Sequence, residues 1–204
     1  MNMVFRPTPY RLPPVTAFRP QHERWRSRRN RACVPARLRL WLQDPGSLTA
    51  RVRARCAKFE VRVLFQGLAG VHPDEAALLG LRAGERACVR EVLLVADGRP
   101  VVFARSLLPP ANLRGVWMLF HGIGARPLGG ALFADPAIAR GALASMRLDA
   151  RDARYHRVRA ALAGCGAAAT LPRSLWARRS LFVLRKRALM VSETFLPAIL
   201  DLPE

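Results

Sequence analysis

Two β-rich runs, residues 86–96 and 100–108, flank the dipeptide Asp97-Gly98, and no other feature constrains the fold of this chain as tightly. A two-residue loop between strands needs φ > 0 at both central positions, which Asp-Gly adopts at low cost, so the runs are expected to form an antiparallel hairpin. With Asp97 and Gly98 as the central residues, residue i lies opposite residue 195 − i. Arg90 then faces Arg105, with Cys88, Val92 and Leu94 beside it and Val101, Phe103 and Leu107 on the partner strand. Like charges opposed on an apolar face are destabilising unless an anion lies between them. Either this face is exposed, or a buried carboxylate pairs the arginines, or the hairpin carries an anion pocket in which a guanidinium fork grips a carboxylate.

A second charge stands out near the C-terminus. In the run 188–196, Leu189, Val191, Glu193 and Phe195 share one face, which sets a carboxylate among apolar neighbours. Burial would raise its pKa and an adjacent arginine would lower it, so both protonation states are open. Glu193 reads equally as a group facing a ligand and as the structural partner of Arg90 or Arg105.

The remaining elements fall around these strands. Short helices are expected through Leu38–Leu42 and, after the Asp44-Pro-Gly break, through Leu48, Val52 and Cys56, capped by Ser47 or Gly46. Residues 59–65 alternate as a strand, and Pro73 with Asp74 and Glu75 opens a helix that Gly80 ends. Further helices are expected at Leu128–Phe133, through Ile138 and Leu143, and within 147–172, the last with a flexible Gly-rich end. Strand runs at 175–184 and 188–196 turn at Arg185-Lys186-Arg187. Strands paired through tight turns, with helices between, define an α+β class with an antiparallel sheet.

Charge invites a nucleic-acid reading, which the composition weakens. The chain has 204 residues and a net charge of +20, but its 34 basic residues include only two lysines, Lys58 and Lys186. Phosphate-binding surfaces use both types, so the skew fits a coding bias better than selection for phosphate contacts. Residues 1–35 hold six prolines and eight arginines without an apolar period, and are expected to be largely disordered, leaving 36–204 as one domain. An organelle transit peptide or an over-extended start would look alike there, but a secretory signal would not. Cys33, Cys56, Cys88 and Cys165 lie far apart without metal spacing, as in reduced thiols of a cytoplasmic protein. No apolar run is long enough for a membrane span. No Walker loop, GxGxxG or HExxH is present, so nucleotide and metal chemistry lose support.

Six segments in order carry a family resemblance: DPGSLT (44–49), VREVLL (89–94), DGRPVVFARSLLP (97–109), RPLGGALF (126–133), WARRSLF (176–182) and SETFLP (192–197). Together they resemble the chorismate lyase family across the whole expected core. The resemblance implies a six-stranded antiparallel sheet with helices packed on it, a monomer, and helical flaps over an internal site. It implies conversion of chorismate to 4-hydroxybenzoate and pyruvate, the first step toward the ubiquinone ring, with no cofactor, metal or nucleic-acid partner. By motif, substrate contacts fall on Leu48, Arg90, Leu128 and Glu193, with Arg90 on the ring carboxylate and Glu193 on the ring hydroxyl. Leu48 stands where relatives commonly have Met. Arg90, and Arg105 if it shares the pocket, would stabilise charge developing on the departing side chain.

A competing reading belongs to another class. Ligand-sensing domains of one transcription-regulator family resemble the same fold and share the hairpin pattern, and such a domain would bind a small effector without catalysis. Those domains normally follow a DNA-binding unit of about seventy residues, whereas some forty-three precede DPGSLT here without a three-helix pattern.

Overall fold

A computed structural model describes residues 25–27, 34–113, 117–118, 122–124, 126–165 and 171–203. The expected α+β architecture is present. Strands β2 (Phe59–Ala69), β3 (Ala87–Ala96), β4 (Arg99–Leu108), β6 (Ala144–Asp149), β7 (Ser174–Leu184) and β8 (Arg187–Phe195) form one antiparallel sheet in the order β6-β7-β8-β4-β3-β2. Two strands of two residues extend its margins: β1 (Arg26–Ser27) pairs with β6, and β5 (Ala139–Arg140) with β7.

Helices cover both faces of the sheet. On one side α1 (Ala36–Gln43), α2 (Leu48–Arg53) and α4 (Leu128–Ala134) pack through Leu38, Trp41, Leu48, Val52, Leu128 and Leu132. On the other lie α3 (Pro73–Leu79) and α5 (Ala153–Ala163), with Leu78, Tyr155, Val158 and Leu162 against the strands. All ten residues of β3 are buried, which explains its unbroken apolar run. Ser47 caps α2, its hydroxyl accepting the Ala50 amide at 3.3 Å.

The first hairpin departs from the expected register. Asp97 and Gly98 adopt φ of 47° and 79°, as a two-residue turn requires. Ala96 pairs with Arg99 and Val95 with Pro100, but Leu94 pairs with Val102. Val101 is the extra residue of a bulge, its carbonyl taken by the Leu196 amide at 3.0 Å. Every later pair is shifted by one, so Arg90 stands opposite Ser106, and Arg105 opposite Glu91. Because side chains alternate with period two, the shift moves Arg105, Phe103 and Leu107 to the face away from Arg90.

Two further expectations, the helix through Ile138 and Leu143 and the disorder of all of 1–35, are corrected, and the helix expected within 147–172 is present. The helix through Ile138 and Leu143 is replaced by β5 and the start of β6. Gly141 interrupts the segment there and donates its amide to Leu181 at 2.8 Å, while Met146 and Leu148 alternate inward. Within 147–172 the helix is confined to α5, started by Asp152, whose carboxylate accepts the Arg154 amide at 2.9 Å. The flexible end expected after Gly164 falls largely at 166–170, outside the described residues. Part of the segment 1–35 is folded: Trp25 is 8% exposed, donates to Asp74 at 2.8 Å, and lies under the guanidinium of Arg179 at 4.4 Å from its ring centre. An aromatic anchor with two polar partners offsets the ordering cost that the proline and arginine content suggested was too high. Residues 1–24 and 28–33 lie outside the described residues.

Candidate functional site

The floor of the site is a four-strand stretch of the sheet. Arg90, Ser106, Val191 and Ser180 form one row across β3, β4, β8 and β7, and Val92, Ala104, Glu193 and Arg178 form the next row on the same face. The roof is the first turns of α2 and α4. A side-chain carbon at Gly129 would stand 3.1 Å from Thr49 Oγ1 and 3.4 Å from Ser47 Oγ, so any larger residue there would require these hydroxyls to give way by a few tenths of an ångström. Between floor and roof lies a small cavity, part of it open to solvent. Leu48, Arg90, Leu128 and Glu193, the four contacts implied by motif, all line it, joined by Arg140.

Arg90 is 2% exposed. Its Nη2 donates to the Gly124 carbonyl at 2.9 Å and the Arg126 carbonyl at 3.2 Å, while Nε is buried without a partner. No carboxylate among the described residues forms an ion pair with it. Burial holds its pKa below the ordinary arginine value, the direction expected of a cation taken from water without a counter-charge. Such a group is costly in a closed protein and favourable once an anion enters.

Arg105 is built differently. It lies on the opposite face, 2.7 Å from Glu91 and 3.6 Å from Glu75, and donates to the Gly70 carbonyl at 3.0 Å. Glu91 also binds Arg157, and Glu75 lies 3.8 Å from Arg154, so this arginine belongs to an ionic network tying α3 and α5 to the sheet. It does not line the cavity.

Glu193 on β8 stands opposite Arg178 on β7, whose Nε donates to Glu193 Oε2 at 2.5 Å. Arg178 is itself 0% exposed, and its Nη1 donates to the carbonyls of Trp41 at 2.7 Å and Asp44 at 2.9 Å. The carboxylate is thereby fixed relative to the α1–α2 connection. Asp44 accepts from Arg51 at 3.0 Å and from the Gly46 amide at 2.7 Å; burial alone would raise its pKa, but these donors and the charge of Arg178 hold it below the usual value.

Arg140 and Arg178 escaped the sequence reading. Arg178 sits within WARRSLF with its alternation visible, and its register opposite Glu193 was the available signal. Arg140 had none, because its strand is two residues long and reads as helix. Its Nε donates to Ser180 Oγ at 3.0 Å and Nη1 to the carbonyls of Pro45 at 2.6 Å and Gly46 at 3.2 Å. Its guanidinium lies 5.3 Å from the ring centres of both Phe133 and Phe182.

A cavity roofed by two short helices, with an uncompensated arginine and an oriented carboxylate on its floor, is an arrangement able to hold a small organic anion. The chorismate lyase family model matches residues 19–202. A probable chorismate pyruvate-lyase of Aromatoleum aromaticum is 65% identical over 186 residues, 91% of this chain and 98% of that protein. Another from Azoarcus sp. is 62% identical over 183 residues, 89% of this chain and 95% of the relative. This chain belongs to the chorismate lyase family. Among solved structures, PhnF from Mycobacterium smegmatis is similar with a TM-score of 0.50 and 18% identity, covering 76% of this chain and 65% of that one, which is a likeness of fold alone.

Proposed function

We propose that this protein releases pyruvate from chorismate to form 4-hydroxybenzoate, within the cavity between the sheet and helices α2 and α4. The observation that carries the reading is Arg90: a buried cation that no carboxylate of the described chain neutralises, set in a cavity with an oriented acid. In the reaction the ring–ether C–O bond breaks and its electron pair leaves on the enolpyruvyl oxygen. A neighbouring ring hydrogen departs as a proton, its bonding pair completes the aromatic ring, and a proton returned to the enolpyruvate gives pyruvate. Aromatisation supplies the driving force, so the protein's task is orientation and charge stabilisation in the cavity.

Arg90 takes the ring carboxylate, and Glu193 takes the ring hydroxyl, with Arg178 as its positioning residue. Leu48 and Leu128 close apolar contacts over the ring. The protein acts as a monomer in the cytoplasm and needs no cofactor. Among the described residues no group of three or more His, Cys, Asp or Glu side chains is placed to hold a metal ion, and no helix is long and apolar enough to cross a membrane. A non-catalytic effector domain is the less favoured reading, because PhnF from Mycobacterium smegmatis shares only the fold while the lyase relatives match at 65% and 62% identity. Purified protein incubated with chorismate should yield 4-hydroxybenzoate and pyruvate in equal amounts. Folded protein that leaves chorismate untouched would end the proposal.

A further inference from the structure

Chorismate carries two carboxylates, and Arg90 accounts for one. Across the floor, Ser180 lies in the same row as Arg90, three strands away, which at the usual strand spacing is roughly 14 Å between backbones. The Ser180 hydroxyl holds Arg140 Nε at 3.0 Å, so the second arginine of the cavity reaches in from the side opposite Arg90. Two edges of its guanidinium are engaged by Ser180 and by the Pro45 and Gly46 carbonyls, and Phe133 and Phe182 pack at 5.3 Å from its centre. Nη2 donates to nothing among the described residues, and no carboxylate there forms an ion pair with this arginine. Burial and the nearby charge of Arg178 both work against its cation, which Glu193 and Asp44 only partly offset. The side chain is thus held by neutral acceptors through Nε and Nη1, leaving Nη2 as its unengaged donor at the cavity wall.

We infer that Arg140 binds the carboxylate of the enolpyruvyl side chain through Nη2 and stabilises the charge that this group carries off as the ether bond breaks. This rests on the lyase reading above and assigns the site a second, separable anion contact. The two arginines then divide the substrate: Arg90 holds the half that becomes 4-hydroxybenzoate, and Arg140 the half that becomes pyruvate.

That division is testable, because a structural role for Arg140 would disturb both halves together. Arg140→Gln should lower kcat/KM for chorismate by about 100-fold or more, while its Kd for 4-hydroxybenzoate stays within about threefold of the parent. Arg90→Ala should weaken both. In the parent, a chorismate analogue with a carboxamide in place of the side-chain carboxylate should be turned over about 100-fold less efficiently, and Arg140→Gln should no longer distinguish the two substrates. Equal losses of product affinity and turnover in Arg140→Gln would overturn the inference, as would a parent that ignores the carboxamide change. A parent without activity on chorismate is a separate result, and it would remove the lyase reading itself.

Discussion

Arg90 and Glu91 are adjacent in sequence and opposite in fate, because successive side chains of a strand point to opposite faces. Glu91 is absorbed by Arg105 and Arg157 on the far face, while Arg90 enters the cavity with carbonyl acceptors only. Truncation of Arg90 to Ala should therefore cost about 2–5 kcal/mol of transition-state stabilisation, read as kcat/KM for chorismate. Arg90→Lys keeps the charge but loses the planar fork, and should fall between the parent and Ala. Leu48→Met conserves volume at an apolar contact and should cost less than about 1.5 kcal/mol. A Leu48→Met loss as large as that of Arg90→Ala would mean that shape, not charge, dominates the cavity.

At the scale of elements, the two hairpins solve one problem with different residues. Asp97-Gly98 supplies two positive φ angles cheaply, whereas Arg185 and Lys186 adopt φ of 48° and 64° without a glycine. Left-handed backbone costs an ordinary residue about 1–2 kcal/mol, partly offset by the extra freedom that glycine has in the unfolded chain. Lys186→Gly should stabilise the protein by about 0.5–1 kcal/mol, seen as a higher denaturation midpoint; an unchanged or lower midpoint would show that the turn is not strained. The elements also show how far sequence reading reached. Pattern and turn chemistry placed Glu193 beside Val191 on the cavity face and Arg90 among apolar neighbours, because alternation within one strand is local. Register across strands is not local. The Val101 bulge has no glycine or asparagine to mark it, so turn arithmetic put Arg105 opposite Arg90, whereas Ser106 stands opposite Arg90 and Arg105 opposite Glu91. Arg140 was unreadable because a two-residue strand has no period to detect.

Across the whole molecule, the sheet separates a cavity on one face from an ionic network on the other. In that network Glu75 is fully buried; desolvation would raise its pKa, but Arg105, His72 and Arg154 outweigh it and hold the carboxyl below its usual 4.5. Asp74 is likewise lowered, with Arg154, Trp25 and Arg179 overcoming its burial. For depressed acids the stabilisation is fully present above the unfolded pKa and is lost as pH falls through the folded one. Thermal stability should thus decline as pH drops below about 4.5, and Glu75→Gln should lower stability at neutral pH while flattening that decline. A decline as steep as that of the parent would place the acid sensitivity elsewhere. Trp25 caps the same network from the N-terminal side. Trp25→Ala should cost roughly 3–5 kcal/mol of stability yet leave kcat/KM near that of the parent at a temperature where both are folded, since the cavity lies on the other face. Removing residues 1–33 should act alike. Folded variants that have lost turnover would show that this segment reaches the cavity.

The lyase account stands most directly on product formation from chorismate, followed for the parent and Arg90→Ala side by side with both products quantified. It predicts 4-hydroxybenzoate and pyruvate in a one-to-one ratio from the parent, and a rate lowered by a factor on the order of 30 or more in the folded variant. Equal rates in the two proteins, or products out of stoichiometry, would contradict it.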